Sequence, residues 1–254
     1  MILGVDHVAL SCEDVDAAAA ALGRRGLAIQ FLEKNLHNAS EKLPLLRRHA
    51  PTHAIAYAQP ARGVALELTQ HGPLVAAPSA FKVLLQGDAP TSTGAQDEGW
   101  DSCFGARGVW LDEFQAPAWF ASGGADWSVQ RIGVNVRDEA QAHTFWTKGL
   151  GARPTNVANA TGCVAFVSPV PRWSLTVQLR PANATPRPML DDSGFPCLAL
   201  LTTNLEQDVK RACEHGGHSP TAPFVLTVNH RPLKVGLLRG PSDELIELIE
   251  IQRS

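Results

Sequence analysis

The feature that most constrains this chain is one grammar repeated three times: an alternating apolar run, a helix cap, an amphipathic helix and a glycine stop. It first occurs in HVALSCEDVDAAAAALGRRG, where Val8 and Leu10 alternate with His7 and Ala9 before Ser11 and Asp14 offer a cap. A helix is predicted from about Glu13 to Gly23 or Gly26. It returns in RIGVNVRDEAQAHTFWTKGLGARP, with Ile132, Val134 and Val136 alternating, a cap around Asn135 and Asp138, and a stop at Gly149 and Gly151. The third copy is CLALLTTNLEQDVKRACEHGG, with Leu198 and Leu200 alternating, Thr203 and Glu206 as a capping pair, and Gly216 and Gly217 as the stop. Such self-similarity governs every later assignment.

Each unit then continues in strand-like runs and closes on a polar residue between apolar neighbours, in VALELTQ, SLTVQLR and LIELIEI. The separations His7 to Glu67, Arg131 to Gln178 and Cys197 to Glu247 are 60, 47 and 50 residues. The first unit is lengthened by KNLHNASEKLPLLRRHAP (34–51), a polar, basic insertion whose LLRRH string could close over an anionic substrate. Residues 72–126 offer strand-like AFKVLLQ and RGVWLDEF around a Gly-, Pro- and Ser-rich stretch that argues against a helix. They read as a degenerate module or a strand-bearing linker, whose Trp100, Trp110, Trp119 and Trp127 either line an apolar pocket or pack a loop on the core. The division expected is therefore a first module at 1–71, the segment 72–126, and a domain at 127–254 holding modules 127–181 and 193–252. The short linker 180–194 predicts that the second and third modules pack as a pair.

Strand side chains alternate between faces. With Val8 and Leu10 toward the helix, His7 and Ala9 face the other way. The same parity turns Glu67 and Glu247 inward, with Cys197 beside Glu247 and with Arg131, Asn135, Thr176 and Gln178 in the second module. His53, set opposite Gln70 by a hairpin turning near Ala61 and Arg62, falls on the helix side with Ile55. A one-residue shift would bring it beside Glu67 as a secondary ligand.

Composition excludes other classes. With 44% hydrophobic and 19% charged residues the chain is that of an ordinary soluble globular protein, and no apolar run reaches the roughly 18 residues of a membrane span. No leader pattern opens it. A formal charge of −3 gives no reason to expect nucleic acid. Five scattered cysteines (Cys12, Cys103, Cys163, Cys197, Cys213) suggest neither a disulfide framework nor a zinc knuckle, so a cytoplasmic setting is expected.

DHVAL (6–10), FWTKGLGARP (145–154) and GPSDELIEL (240–248), set within the recurring order of elements, resemble the vicinal oxygen chelate superfamily, which includes glyoxalase I, bleomycin-resistance proteins and extradiol dioxygenases. The resemblance covers 3–71 and 127–252. It implies an α+β fold of repeated βαβββ modules, whose paired curved mixed sheets enclose a cleft with the helices outside. It also implies ligand positions on first and last strands, here His7, Glu67, Arg131, Gln178, Cys197 and Glu247. Of these, His7, Glu67 and Glu247 form the metal set, for one divalent zinc, iron, manganese or nickel ion. Arginine is always protonated and has no acceptor, so the second module departs from the pattern. Its Arg131, Asn135 and Gln178 are assigned to substrate binding, and Glu67 and Glu247 to proton transfer. The function implied is a metal-dependent lyase, isomerase or dioxygenase acting on a small oxygenated metabolite. The alternative is a metal-free protein that sequesters a small molecule. A small-molecule ligand is the expected partner, without nucleic acid or membrane, and a homodimer is compatible with the family.

Overall fold

The computed structural model describes residues 1–90, 97–102, 104–121, 123–157 and 161–251, with the backbone alone at 97–100. Cys103 and the Trp100 side chain thus lie outside the described residues.

The first module comprises β1 (Ile2–Ser11), α1 (Val15–Arg24), β2 (Ala28–His37), β3 (Thr52–Gln59) and β4 (Ala65–Gln70). The middle segment contributes β5 (Phe81–Gln86), β6 (Asp97–Asp101), β7 (Ala106–Leu111) and β8 (Ala116–Ala121). The second module has β9 (Ser128–Val136), α2 (Glu139–Thr144), β10 (Arg153–Pro154), β11 (Cys163–Phe166) and β12 (Leu175–Pro181). The third has β13 (Cys197–Thr202), α3 (Leu205–Glu214), β14 (Phe224–Val228), β15 (Arg231–Arg239) and β16 (Leu245–Glu250). No helix among the described residues is long and apolar enough to cross a membrane.

Cap chemistry sets the helix starts. Asp14 accepts the Asp16 and Ala17 amides at the head of α1, and Asp138 accepts the Gln141 amide at the head of α2. At α3 the cap is Asn204, which accepts from the Gln207 amide, and not Thr203. Both neighbouring threonines are engaged elsewhere: the Thr202 hydroxyl bonds Asp208, and that of Thr203 faces the Met1 carbonyl. A wide π-type turn at Phe145–Gly149 ends α2 and delivers Phe145 and Trp146 into the core.

Two eight-stranded mixed sheets result, in the orders β14-β15-β16-β13-β1-β4-β3-β2 and β10-β11-β12-β9-β5-β8-β7-β6. Each joins two four-stranded sets through an antiparallel seam, β1 with β13 in one and β5 with β9 in the other. The middle segment therefore carries the strand set of a module, and among its described residues there is no α-helix. The apolar face of each sheet packs in one core with α1, Phe145 and Trp146 between them.

The expected pairing of the second and third modules is not the one the strands make. The third module completes the sheet of the first, and the second completes that of the middle segment. Linker length is a weak guide because closing a longer loop costs only about 0.6 kcal/mol per doubling. Strand pairing across the seams decides instead. The two connections between sheets run side by side, joined by a bridge between Val75 and Asp192, and Ser11 donates its amide to Gly194.

The β3–β4 hairpin also differs in register. Ala54, not His53, lies opposite Gln70, and Tyr57 lies opposite Glu67. Ala54, Ala56 and Ala58 thereby face α1, whose own Ala18, Ala19 and Ala21 are buried, so small side chains meet and helix and sheet approach closely. His53, Ile55 and Tyr57 move to the cleft face.

Candidate metal centre

The first sheet curls until Asn229, past the end of β14, donates its amide to Glu33 on β2, and the interior becomes a cleft. Its main cavity is about 480 Å³, walled by Phe31, Tyr57, Leu201, Leu226, Val235 and Ile249, with His7, Glu67 and Glu247 in its floor. Strand register brings the three together. Glu67 lies beside Ala9 on β1, Glu247 beside Ala199 on β13, and His7 faces Ala199 across the seam. The carboxylates thus flank the seam symmetrically with the imidazole between them.

His7 Nε2 lies 3.5 Å from Glu67 Oε1 and 3.7 Å from Glu247 Oε2, and one donor atom from each residue falls within 4.8 Å of the others. Ligand atoms about 2.0–2.2 Å from one ion in tetrahedral array are separated by roughly 3.3–3.6 Å; the His7–Glu67 spacing falls in that range and the His7–Glu247 spacing just beyond it. The donor chemistry fits too. His7 is 2% exposed, its Nε2 is buried without a hydrogen-bond partner among the described residues, and its Nδ1 lies 2.9 Å from Asp6 Oδ2. That second contact orients the ring, as a carboxylate behind a ligating histidine does. A register shift against β13 between Val5 and His7 turns neighbouring side chains Asp6 and His7 toward the same site.

The buried groups of the site shift one another's acidity. Burial acts most strongly on His7 and lowers its pKa, but Glu67, Asp6 and Glu247 together prevail and raise it to about 9. Burial raises Glu67 to about 7, against the pull of His7 and with help from Glu247. Cys197 is buried behind the carboxylates, and burial, reinforced by Glu247 and Glu67, raises its thiol well above the ordinary range. It does not join the group of converging donors.

His53 faces the cleft but stacks on His71, ring centroids 5.0 Å apart, and stands outside the His7 group. Burial, with Lys42 second, lowers its pKa to about 3 and depresses that of His71, so both rings are neutral.

Arg131, Asn135 and Gln178 lie on the other sheet, on strands β9 and β12. The structure does not bring them to His7. Phe104 fills their face: the Arg131 and Arg180 guanidinium groups each stand 5.5 Å from its ring centroid, Trp119 packs against it, and Lys82 lies over Trp119. Asp101 ion-pairs with Lys82 and Arg180. Gly133 permits this packing, since a Cβ there would come within 2.8 Å of Arg180 Cδ and 3.2 Å of Phe104 Cζ. Among the described residues, Arg131 Nη1 and Gln178 Oε1 are buried without hydrogen-bond partners.

Sequence reading missed Asp6, Tyr57 and Lys42. Asp6 could be found from the DH pair only with the strand irregularity in hand, and Tyr57 only with the correct hairpin register. Lys42 had a signal: Lys42, Leu45 and Leu46 recur at one-turn spacing in the insertion, and all three are buried.

No family model matches the chain, and no curated protein matches it in sequence. Solved structures do match. Glyoxalase I from Zea mays superposes with a TM-score of 0.63 at 11% identity, covering 97% of this chain and 92% of that one. A candidate dioxygenase from Bacillus subtilis subsp. subtilis str. 168 gives 0.62 at 9% identity, covering 100% and 86%. The chain has the vicinal oxygen chelate fold, α+β with paired curved sheets.

Proposed function

We propose that this protein is a metal-dependent enzyme acting on a small oxygenated metabolite, by lyase, isomerase or dioxygenase chemistry. The observation that carries the reading is the convergence of His7, Glu67 and Glu247, with an orphaned imidazole nitrogen, in the floor of an apolar-walled cleft. His7, Glu67 and Glu247 would hold a divalent zinc, iron, manganese or nickel ion, which supplies Lewis-acid polarisation of two neighbouring substrate oxygens. Asp6 fixes the His7 ring, and the apolar walls exclude water from the substrate's body. Glu67 or Glu247, in the floor of the cleft, would move the substrate's proton. Glyoxalase I and the Bacillus candidate dioxygenase share the fold, which is consistent with this class of chemistry without fixing the reaction.

The test is elemental analysis of protein purified without chelator or affinity-tag nickel, paired with thermal unfolding in added zinc, iron(II), manganese or nickel. About one equivalent of metal and a rise in Tm are expected. A metal-free protein indifferent to all four ions would instead make the cleft a sequestering pocket for an apolar small molecule.

A further inference from the structure

Beside the His7–Glu67–Glu247 group lies a second, narrow recess of about 20 Å³, bordered by Lys42, Cys197, Thr69 and His71 and sharing Glu67 and Glu247 with the main cavity. That volume holds about one water-sized group. Lys42 is only 6% exposed; its amide donates to the Ala39 carbonyl, but among the described residues its ammonium makes neither a hydrogen bond nor an ion pair and stands over the face of Phe224, 5.7 Å from the ring centroid. An ammonium carries three donors, and those of Lys42 have no acceptor among the described residues.

The placement is built in. Lys42 sits in the short 3-10 turn Ser40–Leu45, inside the insertion that lengthens the first module. This turn is pinned to the linker before β13. Leu190 donates its amide to the Leu45 carbonyl at 2.8 Å, the Arg47 and Arg48 amides donate to Asp191 at 2.8 and 2.9 Å, and the Arg47 side chain pairs with Asp192. A cation is thus held on the border of a recess that Glu67 and Glu247 border as well.

We propose that Lys42 is a specificity-determining residue that receives one oxygen of a substrate carboxylate in this recess. The cleft would then select apolar-bodied carboxylic acids bearing a neighbouring oxygen. The proposal rests on the function read above, because it places that carboxylate beside the His7 group. Size supports a carboxylate over a phosphate or sulfonate, since a planar group can send one oxygen into the recess while a tetrahedral oxoanion brings a wider cluster. The main cavity accepts the body: its walls are largely apolar, and about 480 Å³ accommodates a substituted phenyl group.

Mandelate and 1-phenyl-1,2-ethanediol share a body and a hydroxyl, and differ in having a carboxylate or a neutral hydroxymethyl group. Calorimetry on nickel-loaded protein should show Lys42→Met weakening mandelate binding at least tenfold while changing diol binding less than twofold. Because Lys42→Met could fail to fold, the parent provides a second measurement. Acylation of Lys42 by a small amine-reactive reagent, followed by mass spectrometry, should slow severalfold in mandelate and not in the diol. Unchanged mandelate affinity in Lys42→Met, absence of mandelate binding to the parent, or Lys42 acylation indifferent to mandelate would each overturn the proposal. The two readings fail separately. A parent that takes up no metal yet protects Lys42 with mandelate defeats the enzyme reading alone. One that binds metal but leaves Lys42 unprotected defeats this inference alone.

Discussion

The two sheets share a topology and differ in what their equivalent positions carry. In the first sheet, the residues on the central pair and flanking strands that meet in the concave face are His7, Glu67, Cys197 and Glu247. The same registers in the second give Lys82, Trp119, Arg131 and Gln178, since Lys82 faces Gly133 across the seam, Trp119 lies beside Leu84, and Gln178 beside Gly133. One face holds an imidazole and two carboxylates around a cleft, and the other holds cations, an amide and aromatic rings packed on one another. Duplicating a scaffold duplicates the geometry of convergence, not the chemistry placed in it.

The strongest way to break that comparison is to move the metal. His7→Ala or Glu247→Gln should abolish metal uptake and with it the stabilisation by bound ion, about 2.7 kcal/mol at one hundred times Kd. Arg131→His combined with Gln178→Glu should leave the stoichiometry at one, because Phe104 and Arg180 occupy the space a second ion needs. A second equivalent of metal in that double variant would show that the faces differ in donors alone.

Acidity separates the faces next. Metal binding must displace protons from groups raised to about 9 at His7 and about 7 at Glu67, so affinity should climb up to about tenfold per pH unit per proton displaced, between pH 6 and 9. Without metal the sign reverses for stability. The His7 contribution is fully present below 6.5 and is lost as pH rises through about 9, and the buried Glu67 becomes a liability from 4.5 through about 7. On the second sheet, burial pushes Asp101 up, but Arg180 and Lys82 outweigh it and hold its pKa low; its contribution is present above 3.8 and fades only in acid. Unfolding temperatures with and without chelator across this range should diverge as pH rises. Parallel curves would contradict the assignment of the first face.

Packing provides the smaller effects. Gly133→Ala should cost about 1–3 kcal/mol in urea unfolding by crowding Phe104 and Arg180, with metal content unchanged. Arg131→Met should stay within about 1 kcal/mol of the parent, since it loses a cation–π contact but also a buried, unpartnered guanidinium nitrogen. A larger loss would mean that the second face depends on Arg131 for more than packing.

Much of this was legible in the sequence. The strand parity that turns His7, Glu67 and Glu247 inward follows from alternation alone, and each helix lies close to where its caps and glycines put it, although α3 is capped by Asn204 and not by Thr203. What could not be read was relational. Which first strands pair across a seam depends on surfaces far apart in the chain, so the third module was expected beside the second. The β3 register turned on whether alanines or His53 and Ile55 met α1, and only the Ala-rich helix opposite decides that. Lys42 looked like one charge in a solvated insertion, because its burial depends on Asp191 and Asp192 roughly 150 positions later.

The side-by-side connections at Val75 and Asp192 have a consequence for how the protein is made. The second sheet is a continuous stretch of chain set inside an interrupted first sheet, so it emerges from the ribosome whole while the first still lacks half its strands. Residues His7 and Glu67 are synthesised early and wait, with β1 an open edge, until β13 and then β16 arrive. If the proposed site takes a metal, its capture would be the last act of assembly, and a chain halted before β16 would carry a finished second sheet and an incomplete donor set.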